Sequence, residues 1–138
     1  MLLSRKQVDA LSYKIIGCAI EVHKRLGPGL LESTYEKCFE RELALSGLSF
    51  SRQTKVPISY KGITLDAELR LDLLVEDMII VELKSTEGLL PIHESILLTY
   101  MKLMQKPKGI LINFNSTNIF KSGQKTLVNE FYTMLPDK

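Results

Sequence analysis

The run "MIIVELKS", Met78 to Ser85, constrains the fold more than any other stretch of the chain. Its opening has the continuous apolar character of a strand buried on both faces. Glu82 and Lys84 then interrupt it. Successive strand side chains alternate, so Glu82, Lys84 and Ile80 share one side, while Ile79, Val81 and Leu83 share the other. Charges in such a strand require an explanation.

The surrounding pattern says what the strand packs into. Ser4 followed by Gln7 has the form of a capping box, and Val8, Leu11, Ile15, Ala19, Val22 and Leu26 recur at helical spacing. "LGPGL", Leu26 to Leu30, stops that helix. A second helix follows, from about Leu30 to Ser46, with Leu31, Tyr35, Cys38, Phe39 and Leu43 on one face and Gly47 at its end. Glu32 lies on the flank of this stripe, half-solvated or aimed at something; Lys37 and Arg41 point away.

From Phe50 the pattern turns to β-branched residues and turn signals. "TKVPISY" reads as an edge strand because Pro57 cannot donate to a ladder, and Lys61–Gly62 turns the chain. "ITLDAELRLDLLV" is a second strand, Glu76–Asp77 a tight connection and "MIIVELK" a third, all antiparallel. Pro91 opens a helix to about Gln105, with Ile92, Leu97, Tyr100, Met101 and Met104 on its apolar side. "GILINF", Gly109 to Phe114, is a strand joined through that helix and so parallel to its predecessor. "QKTLV" is a candidate to close the sheet, and "NEFYTMLPDK" reads as a short helix or a frayed end.

At 138 residues the chain is one domain's worth, and we read residues 1–138 as a single layered domain. With 45% hydrophobic and 25% charged residues, nothing suggests disorder. A net charge of +2 is too small to recruit a polyanion through a global field, so only local basic clusters could matter: Arg52, Lys55 and Lys61, or Lys102, Lys106 and Lys108. The N-terminal segment lacks a leader's apolar core, and no run is apolar enough to span a membrane. Cys18 and Cys38 lack metal-ligand or disulfide spacing and read as small core residues, and His23 and His93 are isolated.

Arg70, Asp72 and Leu74 fall on one face of their strand, and Leu71, Leu73 and Val75 on the opposite one. A tight hairpin brings Asp72 beside Glu82. Burying unpaired charges costs several kcal/mol each, so a strand core accepts them only when paired or bound to a metal. From spacing alone two arrangements stand open: a Glu82–Lys84 ion pair with Asp72 solvated at the rim, or two carboxylates around a hard divalent ion such as Mg²⁺ or Mn²⁺.

"RLDLLVEDMIIVELKS" resembles the core of the PD-(D/E)XK nuclease superfamily, in which an Asp on one strand and an ExK on the next build a divalent-metal site. More narrowly, "GLLESTYEKC" is similar to the signature of the GxxExxY proteins through Gly29, Glu32 and Tyr35. "HESILLTYMKL" and "KPKGILINFN" resemble that group's later segments, so the similarity covers most of the chain, in order. The resemblance implies a restriction-endonuclease-like core, α/β in an α+β layered form, with a mixed central sheet of about four to five strands flanked by helices.

It also implies roles. Asp72 and Glu82 would coordinate Mg²⁺ or Mn²⁺, Lys84 would position or activate the attacking water, and Glu32 would reach the site as an extra acid. Arg70 and Tyr100 are candidate substrate contacts, although Arg70 could equally partner a nearby acid. Tyr35 is expected to pack, its hydroxyl taking one hydrogen bond. The implied function is metal-dependent hydrolysis of DNA or RNA, with a homodimer as a further expectation; the composition and the lack of an apolar span make the cytoplasm, away from membranes, the expected location. Such nucleases often carry a glutamine four residues ahead of the helix tyrosine. Here that position is Ile96, and Glu94 is a poor substitute. The alternative is therefore a catalytically inactive nuclease-fold module for binding or assembly.

Overall fold

Ser4 caps the first helix, α1 (Arg5–Leu26), in the computed structural model of the chain, which describes residues 3–65 and 69–138. The Ser4 hydroxyl accepts from the Gln7 amide while the Gln7 side chain accepts from the Ser4 amide, the reciprocal box expected. Val8, Leu11, Ile15, Ala19 and Val22 are buried along one stripe; Leu26, at the fraying last turn, is exposed. The helix stops at Gly27 and Gly29, with φ of 72° and 99°, backbone that glycine adopts without strain. The second helix, α2 (Glu32–Leu45), buries Tyr35, Phe39 and Leu43.

The remaining elements are β1 (Phe50–Lys55), β2 (Ile58–Tyr60), β3 (Ile63–Leu65), β4 (Arg70–Val75), β5 (Ile79–Lys84), α3 (Pro91–Met104), β6 (Lys108–Asn113), α4 (Ile119–Ser122), β7 (Gln124–Val128) and α5 (Glu130–Thr133). Five strands form one mixed sheet in the order β1-β4-β5-β6-β7. The β5–β6 pair is parallel, as a connection through α3 requires, and the other neighbours are antiparallel. This is the flanked mixed sheet of a restriction-endonuclease-like fold. Among the described residues no helix is long and apolar enough to cross a membrane.

Two expected strands come out differently. "TKVPISY" is not one edge strand: the Val56 amide still donates to the Leu69 carbonyl at 2.9 Å, but Pro57 has no amide to continue the ladder. The chain leaves the sheet there and makes a small separate hairpin of β2 and β3, turning at Lys61 and Gly62, both with positive φ. "ITLDAELRLDLLV" is likewise split between β3 and β4, and its Asp66–Glu68 portion lies outside the described residues.

Helices cover both faces. On one side α1, α2 and Ile119 of α4 pack on Leu73, Val75, Ile79, Val81, Leu83, Ile110 and Ile112. On the other, Leu97, Tyr100 and Met101 of α3 pack on Leu71, Leu74, Ile80 and Leu111. Gly109 lets α3 approach closely: a Cβ there would come within 2.7 Å of Leu97 Cδ1 and 2.8 Å of Met101 Sδ. Lys108, only 7% exposed, is paired inside the fold with Asp9 at 2.8 Å, and Tyr132 donates to the same carboxylate.

Candidate active site

β4 and β5 begin as an ordinary antiparallel pair, with Val75 opposite Ile79, Leu74 opposite Ile80 and Leu73 opposite Val81. The next pair in that register is Asp72 with Glu82, and there the backbone ladder stops. The two carboxylates take the place of carbonyls: Glu82 Oε2 accepts from the Asp72 amide at 2.6 Å, and Asp72 Oδ2 accepts from the Leu83 amide at 2.8 Å. Both backbone donors therefore stay satisfied although the ladder is interrupted.

The alternation of β4 is interrupted at the same place. Leu71 was expected opposite Leu74, yet the two pack in the same cluster against α3, while Leu73 and Val75 face α1 and α2. The simple alternation therefore fails between Leu71 and Leu73, at Asp72. On β1 the residue across from Asp72 is Gln53, which has φ 50° and falls between the Arg52–Leu73 and Thr54–Leu71 pairs.

Glu82 is 7% exposed, and burial raises its carboxyl to about 8, with the charge of Asp72 pushing the same way. Asp72 is raised to about 6, first by burial and then by Glu36 and Glu32, against the Leu83 amide and Lys84. Two acids side by side in a poorly solvated place resist ionising together. The ion pairs among the described residues do not join Lys84 to Glu82. Lys84 instead lowers both acids through its field. The end of β5 is held firmly: Phe114 donates its amide to the Lys84 carbonyl at 2.9 Å, and Asn113 brackets Thr86 with its side chain.

Glu32, the first residue of α2, is exposed and reaches Asp72 and Glu82 only through its charge. Its approach is set by the preceding loop. The Tyr35 hydroxyl donates to the Gly27 carbonyl and accepts from the Leu30 amide, its ring stacks on Phe114 at 4.5 Å, and Ser85 just past Lys84 donates to the Leu30 carbonyl at 2.6 Å. Tyr35 thus packs as expected, with two hydrogen bonds rather than one. Tyr100 comes from the opposite layer; burial and then the charges of Glu82 and Asp72 raise its hydroxyl. Arg70 is exposed at the start of β4, across from Lys55.

Glu36 was not anticipated. It stands one helical turn after Glu32, accepts from Gln53 Nε2 at 3.1 Å, and raises Asp72 more than Glu32 does. The i, i+4 spacing of two glutamates on one helix was the available signal. Glu94 is turned away, paired with Lys125 at 3.1 Å. Of the basic clusters, Arg52 pairs with Glu40, Lys106 with Asp77 and Lys108 with Asp9. Neither cluster presents an uncommitted set of cations.

Among the described residues no group of three or more His, Cys, Asp or Glu is arranged to hold a metal ion. What is assembled is a pair. Each acid spends one oxygen on a backbone amide, which leaves Asp72 Oδ1 and Glu82 Oε1. Mg²⁺ commonly rests on one or two carboxylates and keeps its other positions for water and substrate phosphate, so the donor set fits such an ion. A family model described as the PD-(D/E)XK nuclease superfamily matches residues 9–126. No curated protein and no solved structure matches the chain.

Proposed function

The chain belongs to the PD-(D/E)XK nuclease superfamily, and from that premise we propose that it is a Mg²⁺- or Mn²⁺-dependent phosphodiesterase that hydrolyses DNA or RNA. The observation that carries this reading is the pair of buried, mutually repelling carboxylates, Asp72 and Glu82, built into the open end of the β4–β5 ladder near Lys84. Such a pair is costly without a cation.

On this reading Asp72 and Glu82 hold the divalent ion, which when bound polarises the phosphoryl group and lowers the pKa of a water. Lys84 orients the attacking water and offers a compact positive charge to the developing phosphorane. Glu32 adds a carboxylate from α2. The Tyr35 clamp on Gly27 and Leu30 fixes how that helix end is presented, which gives a physical sense to Gly29, Glu32 and Tyr35 and supports placing the chain in the narrower GxxExxY group. Arg70 and Tyr100 contact the substrate on this reading.

The test is a panel of single-stranded, duplex and branched DNA and RNA with Mn²⁺, comparing wild type with Lys84→Ala. Cleavage that falls roughly a hundredfold or more in the variant, with metal binding retained, supports the reading. Cleavage equal in both, or none with any substrate, overturns it. A second reading is a module of this fold that binds without cutting. It is favoured by Ile96, exposed on α3 at the position where such nucleases often carry a glutamine, and it predicts nucleic-acid binding without Mn²⁺-dependent turnover.

A further inference from the structure

A groove of about 290 Å³ opens beside α3, lined by Leu69, Ile92, Ser95, Ile96, Thr99 and Tyr100. None of these side chains is charged. The walls are apolar, and hydroxyls from Ser95, Thr99 and Tyr100 edge them. Ile92 and Ile96 are 57% and 40% exposed, so the groove is open to solvent.

Its position matters more than its polarity. Tyr100 forms one wall and also packs in the cluster containing Leu71 and Ile80, which immediately precede or nearly adjoin Asp72 and Glu82 in their strands. Tyr100 also lies within the field of Glu82 and Asp72, so this wall of the groove stands near the carboxylate pair. Among the described residues the lining offers no charged partner to a phosphate or a charged peptide. A flat, neutral group with a polar rim needs none, and a groove of this volume has room for one.

Resting on the nuclease reading above, we propose that the groove receives an unpaired nucleobase next to the scissile phosphate, with Ile92 and Ile96, one turn apart on α3, against one of its faces and hydroxyls at its edge. Apolar contact with a base face tolerates any sequence, because every base presents such a face. A base inside a duplex is stacked on both sides and cannot enter without being extruded. The substrate class is accordingly single-stranded or frayed nucleic acid.

The experiment uses a single-stranded oligonucleotide carrying 2-aminopurine, and a blunt duplex of the same sequence, titrated with the full chain in Ca²⁺. Wild type is compared with Ile96→Glu and with Leu98→Glu. Leu98 is equally exposed on α3, at 40%, but does not line the groove, so the two variants add the same charge on different faces. The proposal expects the probe's fluorescence to change on binding, the single strand to bind at least about tenfold tighter than the duplex, and Ile96→Glu alone to remove that preference. Equal weakening by both variants, or equal affinity for single strand and duplex, overturns it. Mn²⁺-dependent cleavage that persists in either case leaves the nuclease reading standing. Failure to bind or cut any nucleic acid removes both.

Discussion

Glu82→Gln is the most discriminating substitution, because it should strengthen the metal-free protein while removing its response to metal. In the fold the carboxyl is raised from its ordinary 4.5 to about 8. A raised acid contributes stability that is fully present below its unfolded pKa and is lost as pH climbs through the folded one, here from about 4.5 to about 8. At ~1.4 kcal/mol per pH unit the ionised side chain costs roughly 5 kcal/mol above pH 8. The amide keeps an acceptor for the Asp72 N–H but brings an NH₂ that needs its own partner, so the net gain should be about 2–4 kcal/mol. Urea denaturation in chelator at pH 5 and pH 8.5 measures it. The variant minus wild-type difference should be small at the lower pH and stabilising at the higher. Saturating Mg²⁺, which at 100 times Kd contributes ~2.7 kcal/mol, should then stabilise wild type and not the variant. A variant that is less stable at both pH values, or a difference that shrinks as pH rises, refutes the reasoning.

Other consequences follow from the supporting structure. Tyr35→Phe removes both hydrogen bonds that clamp Gly27 and Leu30 while keeping the stack on Phe114; a loss of about 1–3 kcal/mol in urea denaturation is expected, accompanied by faster hydrogen exchange in the loop. Gly109→Ala places a methyl within 2.9 Å of Leu97 and Met101 side-chain atoms. The neighbours must shift, so thermal unfolding should report a destabilisation of about 1–3 kcal/mol, and Leu97→Ala should partly rescue it.

Much of the architecture was legible in local pattern. The Ser4–Gln7 box, the α1 stripe, the Pro91 helix start and the parallel β5–β6 pair all depend on nearby residues, whose periodicity survives in any context. What escaped depends on tertiary choices. Pro57 was rightly seen as a ladder breaker, but it ends the edge strand and releases the β2–β3 hairpin, and nothing in the alternation of those residues tells one outcome from the other. Leu71 sits on the unexpected face because side-chain carboxylates replace backbone acceptors at Asp72, a substitution invisible to a period-two reading.

For the candidate site, the meeting of Asp72 with Glu82 was readable from hairpin register, since the residues between them fit one tight turn. Glu36 was missed because it lies off the signature spacing and matters only once α2 is laid beside β4. Basic clusters apparent in the sequence dissolved for the opposite reason. Arg52, Lys106 and Lys108 found acids far away in the chain, at Glu40, Asp77 and Asp9.

The claim on which the function depends is that a divalent ion belongs between Asp72 and Glu82. Isothermal calorimetry with Mn²⁺ at pH 8, on wild type and on Glu82→Ala, addresses it without assuming any substrate. The account predicts a saturable heat for wild type that is absent from the variant. No saturable heat in wild type, or the same binding curve for both proteins, contradicts it.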